Sequence, residues 1–93
     1  MIKSFSDKEA EKLFNRERSR KVPQDIQAIT RRKLEMIHAA GSLQDLRNPP
    51  SNHLEKLKGE LKNKYSIRIN DQWRICFYWN DGEALNVEIV DYH

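Results

Sequence analysis

The chain has 93 residues, which is enough for one domain with a thin hydrophobic core but not for two. It carries 17 lysine and arginine residues against 14 aspartate and glutamate residues, and it has one cysteine. A single cysteine excludes an intramolecular disulfide, and no apolar run approaches the roughly 20 residues that span a bilayer. We therefore expect one domain over residues 1–93, located in the cytoplasm, with no secretion signal and no membrane contact.

The formal net charge is +3, and it is unevenly distributed along the chain. Residues 16–78 hold fourteen basic and seven acidic residues, whereas residues 79–93 hold four acidic residues and no lysine or arginine. A basic body of this kind favours an anionic partner, with nucleic acid as the leading candidate. The alternative is a lysine-rich surface that only keeps the protein soluble.

The first half of the chain predicts a short strand and a helix. Apolar and polar residues alternate over residues 2–5, which is the period of a strand. Ser6 followed by Glu9 has the spacing of a capping box, so we predict the first helix over about residues 7–16.

A second helix is predicted over about residues 24–40, because Pro23 suits its first turn and Gly41 suits its end. Lys33 lies on its apolar face and is expected to reach water along its stem. Two helices joined by a short loop should form an antiparallel pair. After the chain-breaking residues 48–52, the spacing of the leucines at 54, 57 and 61 fits one more short helix.

The last third of the chain predicts an antiparallel sheet. Alternating runs over residues 65–69, 73–79 and 85–89 are separated by turn signals, which is typical of a three-stranded meander. The predicted fold class is therefore α+β, with a helical hairpin packed on a small, mostly antiparallel, curved sheet. The apolar face should carry both tryptophans and Leu85, and the other face should meet water with Ser66, Arg68, Arg74 and Tyr78. Such a face can bind phosphates and stack bases.

Three residues able to accept, donate or relay a proton follow the last predicted strand: Asp91, Tyr92 and His93. A ribonuclease that uses no metal needs a base for the 2′-hydroxyl proton, an acid for the leaving oxygen and cations for the phosphate. The tail can supply the base and the acid. The alternative is a frayed polar terminus.

Candidate phosphate-binding cations fall into three groups. Before the sheet lie Lys56, Lys58, Lys62 and Lys64; on its predicted polar face lie Arg68 and Arg74; in the loop between the helices lie Arg16, Arg18 and Arg20. The lysines can instead be a solvated helix face, the sheet arginines can pair with Glu88 or Asp91, and the loop can be ordinary surface charge. Tyr78 is placed to stack on a base. The three histidines lack the spacing of a metal site, so we expect neither metal nor cofactor.

Four segments together resemble HigB-type toxins of the RelE-like superfamily, including their GraT-like members: residues 1–5, 54–59, 66–77 and 87–93. The resemblance covers essentially the whole chain. It implies a RelE-like fold and a toxin of a type II toxin–antitoxin system that inhibits translation as a ribosome-dependent mRNA endonuclease. It also implies a HigA-type antitoxin with a helix-turn-helix domain, and through it an indirect contact with operator DNA. The alternative function is a non-catalytic module that blocks translation by occupying RNA or the ribosome.

The resemblance also implies site residues. The terminal Asp91, Tyr92 and His93 match catalytic residues of the family, Lys58 matches a catalytic or phosphate-binding lysine, and Arg68 and Arg74 match arginines on the substrate-facing sheet. The chain departs from the family pattern at Glu55, where some HigB proteins carry a catalytic histidine. A glutamate can accept a proton, but it cannot act as an imidazolium does at neutral pH.

Overall fold

The computed structural model of the chain describes residues 1–59 and 63–92. Within these residues the chain forms two α-helices, α1 (Lys8–Phe14) and α2 (Gln24–Ala39), and two short 3-10 helices (Leu43–Arg47 and Pro50–Asn52). A sheet follows, with strands β1 (Glu55–Lys56), β2 (Lys64–Arg68), β3 (Trp73–Asn80) and β4 (Glu83–Asp91). The strands pair in chain order and all neighbours are antiparallel. The predicted α+β class is confirmed.

The core lies between the helices and one face of the sheet. Leu13 of α1 and Leu34 of α2 are fully buried, as are Ile67, Ile75 and Phe77 of the sheet. Each such side chain contributes roughly 1.5–3 kcal/mol through burial, so this layer holds the helices on the strands. Both tryptophans pack partly buried against this core, as predicted. In the two described stretches, no helix has the length and apolar character needed to cross a membrane.

The N-terminal segment lies beside β4, and this changes the start of α1. Ile2 and Phe5 form only isolated parallel bridges with β4 rather than the predicted strand. Asp7, not Ser6, is the helix N-cap, and its carboxylate accepts the N–H of Glu9 at 2.9 Å. The Ser6 hydroxyl instead hydrogen-bonds to β4, which the local sequence pattern does not reveal.

The segment after the two prolines forms an edge strand, so the prediction of a short helix there is wrong. Glu55 and Lys56 pair with β2. His53 and Gly59 on either side have positive φ angles of 43° and 87°, which interrupt right-handed helical geometry at both ends. Leu61, the third leucine of the predicted helix, lies outside the described residues.

A bulge in β4 places Leu85 on the opposite side of the sheet from the one predicted. Tyr78 pairs with Leu85, where uninterrupted alternation from Ile75 and Ile89 would pair it with Asn86. Asn86 has a φ of 52°, as expected for an extra residue in a strand. As a result Ala84 is fully buried in the core, and Leu85 shares the opposite face with Tyr78.

Candidate active site

The sheet face turned away from the core carries charged and hydroxyl side chains. Antiparallel partners project to the same side, so the register groups these residues into rows across the strands. The rows are Glu55, Ser66, Cys76 and Glu88; then Arg68, Arg74 and Val90; then Lys64 and Tyr78. We call this surface the polar face.

Arg74 is held by three protein groups at the centre of the polar face. Its Nε donates to the Ser66 hydroxyl at 2.9 Å, and its Nη2 donates to the backbone carbonyl of His53 at 2.6 Å. Nη2 also lies 3.8 Å from the Glu55 carboxylate, and the side chain is only 12% exposed. The planar guanidinium is therefore fixed in one orientation, which suits recognition of a phosphate.

Arg68 is the cross-strand partner of Arg74 and lies nearer the rim. Its side chain is 32% exposed and pairs with the carboxylate of Asp71, which is fully open to solvent. Glu88, considered above as an alternative partner of these arginines, lies instead 3.8 Å from the Nζ of Lys64. Each of these cations thus pairs with a different acid. Arg68 at the rim is more exposed to solvent than Arg74 at the centre.

Tyr92 folds back over the polar face, and its hydroxyl lies 3.9 Å from the Sγ of Cys76. Partial burial and the neighbouring Cys76 raise the pKa of the Tyr92 phenol above its ordinary value, while Arg74 opposes this shift. The phenol is therefore protonated at neutral pH and can donate a proton or a hydrogen bond. Burial also raises the pKa of the Cys76 thiol, which keeps it in its less nucleophilic form.

The polar face is less open than predicted. Ser66 is 0% exposed although it was predicted to face water, and its cross-strand partner Cys76 is 2% exposed. Arg74 covers Ser66 through its hydrogen bond, and Tyr92 approaches Cys76 from the tail. The centre of the face is therefore a semi-buried polar site rather than a solvated sheet surface.

Asp91 does not join the arginines on this face. It pairs with Trp73, whose side chain packs against the core, and so projects to the other side of the sheet from Arg74. Its carboxylate accepts from the Gln72 side chain at 3.1 Å, and the N–H of Tyr92 donates to the Gln72 carbonyl at 2.6 Å. These two contacts fix the start of the tail that carries Tyr92.

The predicted lysines are dispersed. Lys64 lies on the polar face with its Nζ 5.2 Å from the centroid of the Tyr78 ring. Lys56 is exposed and belongs to the register row of the opposite face, and Lys58 is exposed at the end of the edge strand. Two predicted site residues lie outside the described residues: Lys62 and His93.

The predicted loop arginines, Arg16, Arg18 and Arg20, are exposed in the connection between α1 and α2 and belong to none of the rows of the polar face. Arg16 lies 4.0 Å from the carboxylate of Glu35 on α2. Ser19, between them, is buried and fixes the loop through its hydroxyl. In the parts of the chain that the structure describes, no three histidine, cysteine or acidic side chains form a metal-binding group.

Sequence reasoning named Glu55 through the family resemblance, but it missed the edge strand that places Glu55 beside Arg74. The atom of His53 that accepts from Arg74 is its backbone carbonyl, which no side-chain pattern in the sequence indicates. Glu55 reaches Arg74 because β1 pairs with β2, and a two-residue strand is too short to show a period in the sequence. A long-range contact of this kind has no local signal.

Comparison with known proteins decides the family. Over residues 3–93 the sequence matches the family model of the RelE-like toxin of type II toxin-antitoxin system HigB. The chain belongs to this family. It is 45% identical over 87 residues to Toxin HigB-1 of Vibrio cholerae serotype O1, covering 92% of each chain. It is 36% identical over 94 aligned residues to Endoribonuclease HigB of Proteus vulgaris, covering the whole of both chains.

These similarities confirm the predicted HigB-type family and its RelE-like fold. As a member, the protein is the toxin of a type II toxin–antitoxin system, a class in which the toxin has an antitoxin as its partner. The family match covers both the polar face and the tail.

Proposed function

We propose that this toxin is a metal-independent endoribonuclease that cleaves mRNA on the ribosome and thereby inhibits translation. The observation that carries the proposal is the semi-buried Arg74 guanidinium, oriented by Ser66 and the His53 carbonyl beside the Glu55 carboxylate and the Tyr92 hydroxyl. The name Endoribonuclease HigB of the Proteus vulgaris relative supports the same chemistry.

The reaction we propose is attack of the 2′-hydroxyl on the adjacent phosphate. The O2′–P bond forms and the P–O5′ bond breaks, which leaves a 2′,3′-cyclic phosphate and a free 5′-hydroxyl. Arg74 binds the non-bridging oxygens, where negative charge grows in the transition state, and Arg68 adds a second cation from the rim. Lys58 and Lys64 extend the positive surface along the flanking phosphates.

Proton transfer needs a base at O2′ and an acid at O5′. Tyr92 is protonated at neutral pH and serves as the donor to the leaving oxygen. Glu55, 61% exposed and 3.8 Å from Arg74, is an acceptor in reach of the same phosphate, and His93 is the second candidate for proton transfer. Asp91 acts indirectly by holding Gln72 and the start of the tail.

Ribosome dependence follows from how few groups the site supplies. A small set of side chains gains most from a substrate that is already held in the reactive geometry, so free RNA should be a poor substrate. The arginines of the α1–α2 loop, together with Lys56 and Lys62, are proposed contacts to the ribosomal polyanion, and Tyr78 is a proposed stacking platform. We place the protein in the cytoplasm with a HigA-type helix-turn-helix antitoxin, through which it meets operator DNA indirectly.

Primer extension on mRNA in a purified translation system tests the proposal. We expect new 5′ ends inside codons when the toxin is present, and a cyclic or 3′-phosphate on the upstream fragment. Thr30→Val is a matched folded control, since Thr30 is buried in α2 away from the polar face and its hydroxyl has no hydrogen-bond partner in the described structure. Translation arrest without new mRNA ends would favour the alternative of blocking by occupancy.

A further inference from the structure

Helix α2 carries a buried lysine, Lys33, whose ammonium has no acidic partner among the described residues. Lys33 is 6% exposed, which is contrary to the expectation that its stem would carry the ammonium to water. Its Nζ donates to the Oδ1 of Asn52, and no acidic group in the described part of the chain forms an ion pair with it. Burying an ammonium without a counter-ion is costly, so stability alone does not account for a lysine here.

The acceptor of that lysine organises the loop that leads into the edge strand. Asn52 is 0% exposed, and its Nδ2 donates to the carbonyls of Leu46 at 3.1 Å and Asn48 at 3.4 Å. A single amide that follows the two prolines therefore holds the segment that precedes them. Lys33 ties this amide to helix α2 by a hydrogen bond to its oxygen, and Met36 of the same helix adds a weaker contact, with its Sδ 3.9 Å from the Asn52 Nδ2.

The residue after Asn52 supplies an anchor of the proposed active site. His53 has a left-handed backbone, with a φ of 43°, and its carbonyl accepts from Arg74 Nη2 at 2.6 Å. The position of that carbonyl depends on the adjacent Asn52. Local departures of this sort, an unpaired buried charge and a strained backbone, are concentrated at functional sites in proteins.

We propose that Lys33 is a positioning residue for Arg74. Lys33 holds the side chain of Asn52 in place, and Asn52 in turn sets the position of the adjacent His53 carbonyl. That carbonyl orients the Arg74 guanidinium, which we propose binds the scissile phosphate. The inference rests on the proposed function for its catalytic consequence, whereas the orientation of Arg74 can be measured without any cleavage. Burial and the nearby Arg32 and Arg68 lower the pKa of Lys33, which agrees with an ammonium that is held in place at a cost.

The test is Lys33→Met in the full chain, with Thr30→Val on the same helix as control. Met fills a similar volume but cannot donate to Asn52. We expect the ¹⁵N–¹H signal of Arg74 Nε, protected by Ser66 in the wild type, to shift and exchange faster with water. In single-turnover cleavage on programmed ribosomes, we expect the rate to fall about tenfold and the half-saturating ribosome concentration to change less than twofold.

Wild-type values of both the Arg74 Nε signal and the cleavage rate in Lys33→Met would overturn the proposal. If Lys33→Met does not fold, Lys33→Leu, which also lacks a donor, replaces it, and the side-chain amide signal of Asn52 is followed together with Arg74 Nε. The proposal requires the two signals to move together, and a displaced Asn52 beside an unchanged Arg74 overturns it. If the wild type cleaves no mRNA, the proposed function fails, while the two signals still decide the positioning role.

Discussion

The polar face and the loop between the helices both carry arginines, but these arginines differ in how tightly the surrounding protein holds them. Arg74 is 12% exposed and is contacted by the Ser66 hydroxyl of β2 and by a carbonyl and a carboxylate from residues 53–55 at the edge of the sheet. Arg18 and Arg20 are exposed, and the buried anchor of their loop is the neutral side chain of Ser19. The difference suggests that Arg74 orients a bound phosphate, whereas the exposed loop arginines attract RNA without fixing its geometry.

These two designs predict different kinetic effects. An oriented group stabilises one geometry of the phosphate, so its loss should lower the rate of bond cleavage. Exposed cations stabilise bound and reacting RNA alike, so their loss should weaken binding and leave the rate of the bound complex unchanged. The following predictions test this division, from the largest effect to the smallest.

Arg74→Lys should have the largest effect. Lysine keeps the charge, but it lacks the planar guanidinium that can donate to Ser66, His53 and a phosphate at the same time. We therefore expect the single-turnover cleavage rate to fall about 100- to 1,000-fold. Arg68→Lys is the matched control, since Arg68 is the cross-strand partner of Arg74 but pairs with only one exposed acid; here we expect about tenfold or less. An equal loss of cleavage rate in Arg74→Lys and Arg68→Lys would mean that the central and the rim arginine do not differ in their roles.

Tyr92→Phe should come next. It removes one hydroxyl while leaving the ring over the polar face, and the loss of one hydrogen bond worth roughly 1.5 kcal/mol corresponds to about a tenfold slower cleavage. Cys76→Ala is the control, because its thiol touches the same hydroxyl but has no proposed role in the reaction.

The same pair gives a pH prediction. Burial and then Cys76 raise the pKa of Tyr92, so Cys76→Ala should lower that pKa and bring phenolate formation to lower pH. A titration followed by ultraviolet absorbance measures the shift, and the rate at pH 7 should remain within about twofold of the wild type because the phenol is still protonated there. A large loss of rate in Cys76→Ala would mean that the thiol itself contributes to cleavage.

The sequence predicts the regular elements well and the irregular ones poorly. Periodicity and Pro23 predict α2 to within a residue at each end, and alternation finds β2, β3 and β4. It fails at β1, where two residues show no period, and at Asn86, where one extra residue reverses the sides of its neighbours. Both features depend on how a strand pairs with its neighbour in the sheet, and a local sequence pattern carries no information about that pairing.

The same limit applies to the site. Alternation places Arg68 and Arg74 on one face because both lie inside regular strands. The identity of the groups that hold Arg74 depends on how the edge strand pairs, and no spacing in the sequence indicates this. A catalytic role of the tail is a prediction from its residue types and from the family resemblance. The register separates Asp91 from the arginines although the three residues of the tail are adjacent in sequence.

Arg18→Gln and Arg20→Gln should have a smaller effect, confined to binding. We expect each to raise the half-saturating ribosome concentration about two- to fivefold, and to reduce the slope of log affinity against log salt by roughly 0.7–0.9 if the arginine contacts one phosphate. Arg47→Gln, which removes the same charge from an exposed position in the 3-10 helix Leu43–Arg47, is the control. A lower single-turnover rate at saturation would place these arginines in the chemical step.

Ser19→Ala should have the smallest effect on cleavage, and its signature is the pH dependence of stability. The Ser19 hydroxyl donates to Glu9 at 2.6 Å and lowers the pKa of that carboxyl below its ordinary value of 4.5. A depressed carboxyl pKa stabilises the fold above the unfolded value and loses this contribution as pH falls through the folded value. Urea unfolding should therefore show a larger difference between wild type and Ser19→Ala at pH 7 than at about pH 3. An equal difference at both pH values would mean that Ser19 holds the loop through the N–H groups of Lys21 and Val22 alone, and that the charge of Glu9 has no part in presenting the loop arginines.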